Sequence, residues 1–214
     1  MNKLIGALAL ILFAICTPVF SADKASIIYV EGDVTMNGSP ASVGDDVQPG
    51  ATIETAPDAV CQVVFNQKNI VHVAGGTVLT FDPKVLSQGA TLQKGAVAMV
   101  LRNLGKVVGK PDELRFRITT SNAVAGVRGT CFFVKIEDDD NTFICCCNGS
   151  LHLDSAAGDS LRNLAGSHHQ EVRVSRSATG VSVASAPLLY HTDGDVEAIA
   201  ARIGETIDWT KIDK

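Results

Sequence analysis

From Ser26 to Ser185, apolar and polar residues alternate in short bursts separated by Gly, Pro, Asn and Asp. The first bursts are SIIYVEG (26–32), DVTMNG (33–38) and, past a turn at Ser39-Pro40, DDVQPGATIET (45–55). AVCQVVF (59–65) and IVHVAGGTVLTF (70–81) flank a turn around Asn66, and ATLQKGAVAMVLRNL (90–104) and RFRITTS (115–121) flank a looser stretch, 104–113. Further on come SLHLDS (150–155), SLRNLAG (160–166), HHQEVRVSR (168–176) and GVSVAS (180–185). Period-two bursts bounded by turn formers at close, even spacing predict successive antiparallel strands. Only the end changes character. Thr192 followed by Asp195 marks a helix start, and Val196, Ile199, Ala200 and Ile203 then share one helical face. The expected fold is all-β, an antiparallel sandwich or roll of many short strands with a single C-terminal α-helix. The β domain is expected over 22–190 and the helical segment, packed on it, over 191–214.

The stretch Ser121–Leu153 reads as a β-hairpin: a strand from Thr130 to Glu137, an acidic turn at Asp138–Asn141, and a return strand from Thr142 to Cys147 ending at the turn formers Asn148-Gly149. Polar Lys135 and Glu137 assign Phe132, Val134 and Ile136 to the buried face, leaving Cys131 and Phe133 on the other. On the return strand Phe143 shares its face with Cys145 and Cys147. A turn over 138–141 sets Ile136 opposite Phe143 and Cys131 opposite Asn148, with Cys131 and Cys146 on one face and close enough to form a bridge. A slip of one residue would instead put Cys131 with Cys145 and Cys147. Asp138, Asp139 and Asp140 lack the Gly and distal Glu of a calcium loop and read as a solvated turn.

Residues 1–24 have a basic start at Lys3, an apolar run from Leu4 to Ile15, and then Pro18 and small residues. This is the pattern of a secretory signal peptide over 1–21, cleaved after about Ser21. Cys16 follows the bulky Ile15, against lipid anchoring. The mature chain is expected in the periplasm or outside the cell, with no membrane span. A net charge of −5 with both signs interspersed offers no basic face, so nucleic acid is not an expected partner. The mature chain keeps Cys61, Cys131, Cys145, Cys146 and Cys147, an odd number with three adjacent, which does not resemble a disulfide framework.

The run Val30-Glu31-Gly32-Asp33-Val34, with Gly38, Gly44-Asp45, Gly50 and Thr55, and then RFRITTSNAVAGVRGTCFFV (115–134), resembles the FecR domain. The likeness runs from about Ile27 to Gly166, and Ala125–Thr130 is its most specific part. The resemblance implies a periplasmic all-β domain and, as partner, another envelope protein. In the family's namesake it is a receptor passing a ferric-siderophore signal from an outer-membrane transporter to a sigma factor. Unlike that namesake, the sequence shows no N-terminal cytoplasmic regulator domain and no internal membrane helix. Cys145-x-Cys147-x-Gly149, His168-His169 and His191-Thr192-Asp193 together resemble a subset of exported FecR-type proteins.

Two thiols at i and i+2 leave one strand face with Cα atoms about 6–7 Å apart, a spacing that suits a metal and strains a disulfide. Further ligands are available from His168, His169 and His191. If HHQEVRVSR is strand throughout, His168 shares the apolar face with Val172 and Val174; if the doublet lies in a loop, both rings can converge. His191 precedes the capped helix. Cys145, Cys147, His168 or His169 and His191 thus form a candidate Cys2His2 set for zinc, iron or copper. Haem or an iron–sulfur cluster fits the ligand types and not the spacing. The competing reading is an interaction or envelope-structural module with buried or disulfide-bonded cysteines and no metal. A Cys-His nucleophile lacks a recognisable oxyanion hole or orienting group, so no enzyme activity is expected. His72 and His152 read as structural or exposed, Cys61 as core, and Arg128 as a packing or pairing residue.

Overall fold

A computed structural model describes residues 25–82, 84, 88–102, 116–127 and 129–212. The expected signal peptide, the whole of the loose stretch 104–113 and Arg128 lie outside these residues. Among the described residues there are 16 strands and one helix. The strands are β1 (Ala25–Glu31), β2 (Val34–Met36), β3 (Ser39–Pro40), β4 (Thr52–Thr55), β5 (Val60–Phe65), β6 (Asn69–Val73), β7 (Val78–Phe81) and β8 (Gly89–Lys94). They continue as β9 (Ala96–Leu101), β10 (Phe116–Thr119), β11 (Ala123–Val127), β12 (Cys131–Ile136), β13 (Asn141–Ser155), β14 (Ser160–Gly166), β15 (Gln170–Ser177) and β16 (Gly180–Ser185). The helix is α1 (Asp193–Ala201). The fold is therefore all-β with a single C-terminal helix, as the alternation predicts. No described helix is long and apolar enough to cross a membrane.

The strands run in the order β1-β5-β6-β9-β12-β13-β11-β10-β8-β7-β4-β2-β3, with β14 and β15 also on β13, and β16 on β15. Neighbours are antiparallel except β8 and β10. The sheet curls so that its halves face each other over one core, which includes Ile27, Val63 and Phe65 from one half and Ile53, Phe81, Phe116 and Leu153 from the other. A second apolar layer lies on the outer face of β9, β12 and β13, where Ala98, Val100, Phe133 and Phe143 meet Val196, Ile199 and Ala200 of α1. Strands covered on both faces need apolar residues at every position, and all six residues of β9, AVAMVL, are buried.

β13 joins the halves. Its first part pairs with β12 and β15 and its last part with β11 and β14, so the strand runs on to Ser155 where the sequence suggested an end at Asn148-Gly149. Gly149 acts as a kink: its φ is +121°, and a Cβ there would lie 2.8 Å from Thr130 Oγ1.

The hairpin register differs from the expected one. Ile136 pairs with Thr142, Phe133 with Cys145 and Phe132 with Cys146, one residue off from the count, and a bulge between Cys131 and Phe132 restores Cys131 opposite Asn148. The cause is the turn. One Asp138 carboxylate oxygen accepts from the backbone N–H groups of Asp140 and Asn141 and from Asn141 Nδ2, all at 2.9 Å, which tightens the turn to 138–140 and leaves Asn141 O to accept from Glu137 N–H at 2.9 Å. The slip places Cys131 and Phe133 on the face of Phe143, Cys145 and Cys147, while Cys146 joins Phe132 and Val134 in the main core. A Cys131–Cys146 bridge is thereby ruled out, since the two point to opposite faces and Cys146 is a free thiol.

The fully buried Asn148 beside the bulge fixes the C-terminal segment, its Nδ2 donating to the carbonyls of Ser167, Asp208 and Lys211 at 3.0–3.1 Å. Replacing it with alanine leaves those carbonyls without that donor. Asn148→Ala is expected to cost about 1–3 kcal/mol in urea unfolding and to speed tryptic cleavage at Arg202. An unchanged midpoint and cleavage rate would contradict this role.

Candidate metal centre

Cys145 and Cys147 leave β13 on one face, beside the bulge, and their thiols converge. Cys147 Sγ lies 3.6 Å from Cys145 Sγ and donates to it. The loop between β14 and β15 then brings in one imidazole. It is held against β13 by His169 N–H donating to Cys147 O at 3.0 Å and by the Asn148 contact to Ser167. His169 Nδ1 sits 3.2 Å from Cys145 Sγ. The other imidazole comes from the chain just before α1. Tyr190 takes φ +69°, an uncommon left-handed conformation for a non-glycine residue, and turns the chain so that His191 Nε2 reaches 3.3 Å from Cys147 Sγ. Thr192 and Asp195 close a capping box immediately after it, fixing the start of α1.

One ligand atom from each of Cys145, Cys147, His169 and His191 lies within 4.8 Å of all the others, and all four residues are buried. A tetrahedral ion with bonds of about 2.3 Å to sulfur and about 2.0 Å to nitrogen separates two sulfurs by about 3.8 Å and a sulfur from a nitrogen by about 3.5 Å. The observed 3.6, 3.2 and 3.3 Å contacts are slightly tighter than that frame. The far side of each ring is also held. His169 Nε2 is 2.7 Å from Asp193 Oδ1, and His191 Nδ1 is 3.1 Å from Leu189 O. A carboxylate or a carbonyl on the second nitrogen fixes the tautomer that turns a lone pair toward a metal, as in carboxylate–histidine–zinc arrangements. Phe133 stacks on His191 at 4.6 Å and Trp209 on His169 at 5.3 Å, closing the rings in. His191 also borders a cavity of about 330 Å³ between α1 and the sheet, lined on its far side by the Gln62–His72 pair.

The electrostatics separate the cysteines. The Cys147 thiol, then the His169 and His191 rings, hold Cys145 down to about 4 despite burial. Burial, and then Cys145, push Cys147 well up. Burial opposes a charge on His169, but Cys145 and Asp193 outweigh it and raise its pKa. Cys61 and Cys146, with burial as the main cause, are pushed up to about 12 and are inert core thiols. Cys145, His169 and Asp193 are also in line as a thiolate, an imidazole and an orienting carboxylate. Cys145 is fully buried, however, and does not line the cavity beside His191.

His168 lies outside the four-residue cluster. β15 begins at Gln170, so the doublet sits in the loop, and strand alternation does not apply to it. The His168 side chain is 52% exposed, with Nε2 3.0 Å from Asp193 Oδ2. His152 pairs with Asp154 and Asn163 away from the cluster, and His72 faces Gln62 beneath α1. Asp193 had no assigned role in the sequence reading; its signal was its position in His191-Thr192-Asp193, next to the helix cap.

Residues 51–152 match the family model described as FecR protein. This stretch is FecR-like. It contains Cys145 and Cys147, while His169, His191 and Asp193 lie beyond its matched end. Two crystal structures, at 1.65 and 2.50 Å resolution, of a candidate anti-sigma factor from Parabacteroides distasonis ATCC 8503 are similar to the chain at 20% identity. Each has a TM-score of 0.47, over 63% of this chain and 59% of that one. No curated protein matches the sequence.

Cys145 and Cys147 lie under the thin layer formed by α1 and the C-terminal segment, whereas Cys61 and Cys146 lie in the main core. In metal-free protein under mild denaturant, iodoacetamide is expected to modify Cys145 and Cys147 before Cys61 and Cys146, as read by peptide mass spectrometry. Simultaneous modification of all four would contradict a separately opening outer layer.

Proposed function

We propose that the chain is an exported FecR-domain protein that binds one metal ion through Cys145, Cys147, His169 and His191. The observation that carries this reading is the convergence of two thiols and two imidazoles whose outer nitrogens already face Asp193 and Leu189 O. A closed set of two sulfurs and two nitrogens in near-tetrahedral spacing suits zinc best, and iron or copper share the ligand preference. Four protein donors leave no open position for substrate, which favours a binding, sensing or structural role in the envelope over hydrolytic chemistry. The ion ties β13 to the β14–β15 loop and to the chain entering α1, so binding stabilises the docking of the C-terminal segment. The signal-peptide pattern supports a periplasmic setting, and the FecR domain supports an envelope protein as partner.

Protein purified anaerobically is expected to carry one equivalent of metal by elemental analysis. Cys145→Ser and His191→Ala are expected to lose it, while Cys146→Ala keeps it. Metal at 100 times its dissociation constant adds about 2.7 kcal/mol to unfolding stability. Substoichiometric metal unaffected by Cys145→Ser and His191→Ala would contradict the reading and favour a metal-free interaction module.

A further inference from the structure

Outside the buried cluster, one further group of donors among the described residues meets at His169. His168, His169 and Asp193 each offer an atom within 4.8 Å of the others, and this group, unlike the buried one, reaches solvent. Asp193 Oδ1 is 2.7 Å from His169 Nε2 and 3.1 Å from His168 Nε2, and Oδ2 is 3.0 Å from His168 Nε2 alone of the two rings. The His168 and Asp193 side chains are 52% and 45% exposed, whereas His169 is 4% exposed. The ring of Trp209 lies against both histidines, at 5.0 and 5.3 Å, fixing their relative placement. An aquo-ion from solvent has no direct path to Cys145 and Cys147, which are fully buried.

We propose that His168 and Asp193 form a second, solvent-facing site for a divalent transition-metal ion, from which the buried set is loaded. The loading step rests on the proposed function of the buried cluster; the outer site itself does not. The ion exchanges two of its waters for His168 Nε2 and Asp193 Oδ2, keeping water elsewhere. His168 then carries its proton on Nδ1, which leaves the Nε2 lone pair for the ion. Asp193 Oδ1 continues to accept from His169 Nε2–H, so one carboxylate joins the outer ion to the ring that faces Cys145. Imidazole with carboxylate selects borderline ions such as zinc, cobalt or copper over calcium and magnesium. Two protein ligands against four make the outer site the weaker, as a transfer site requires.

The test is titration of metal-free protein with Co2+, following bound metal by equilibrium dialysis and the thiolate-to-cobalt charge-transfer band by stopped flow. Wild type is expected to bind two equivalents, with the band complete at the first. His168→Ala, an exposed substitution, is expected to lose the second equivalent, keep the full band, and develop it roughly tenfold more slowly. A second equivalent that survives His168→Ala, or its absence from wild type, overturns the outer site. Loss of the second equivalent with an unchanged loading rate overturns the loading role. A wild type without the band, whose bound Co2+ still disappears in His168→Ala, contradicts the buried centre and leaves the outer site standing.

Discussion

The meeting of two thiols from one strand with two imidazoles from separate later segments is the contact on which the C-terminal part of the chain depends. Three stretches distant in sequence contribute to it: the bulged part of β13, the loop before β15, and the turn at Tyr190 before α1. None of the three has a conformation that alternation alone would hold. The bulged strand places two thiols and the loop and the left-handed tyrosine one imidazole each, and buried soft ligands at these spacings are costly unless they share a proton or a metal. In the absence of metal, Cys145 takes the charge, supported by the Cys147 thiol and by His169.

The layering explains why the cluster is sealed. β9, β12 and β13 are apolar on both faces, so a second core can form outside the curled sheet, and α1 with Trp209 covers it. The FecR-like stretch at 51–152 supplies the strand and the thiols, and the residues after it supply the imidazoles, the carboxylate and the cover. Asn148, one residue past Cys147, ties the cover down by bonding to both the loop and the C-terminal segment.

Much of this was legible in the sequence, for a reason that does not depend on register. Residues i and i+2 of a strand share a face under any pairing, so Cys145 and Cys147 go together whatever lies opposite them. What lies opposite depended on one side chain: Asp138 shortens the turn by one residue through hydrogen bonds that residue counting does not register, and this moved Cys131 and Phe133 to the other face. His168 and His169 were separable by strand alternation only if a strand ran through them, and the loop before Gln170 removes that premise. Asp193 was hidden because its partner is 24 residues away, a tertiary contact that no local pattern encodes.

The most direct test of the central claim is X-ray absorption at the metal edge of the anaerobically purified protein. One metal per chain is expected, with two sulfur neighbours at about 2.3 Å and two imidazole nitrogens at about 2.0 Å. A shell of oxygen and nitrogen alone, or no bound metal, would contradict it.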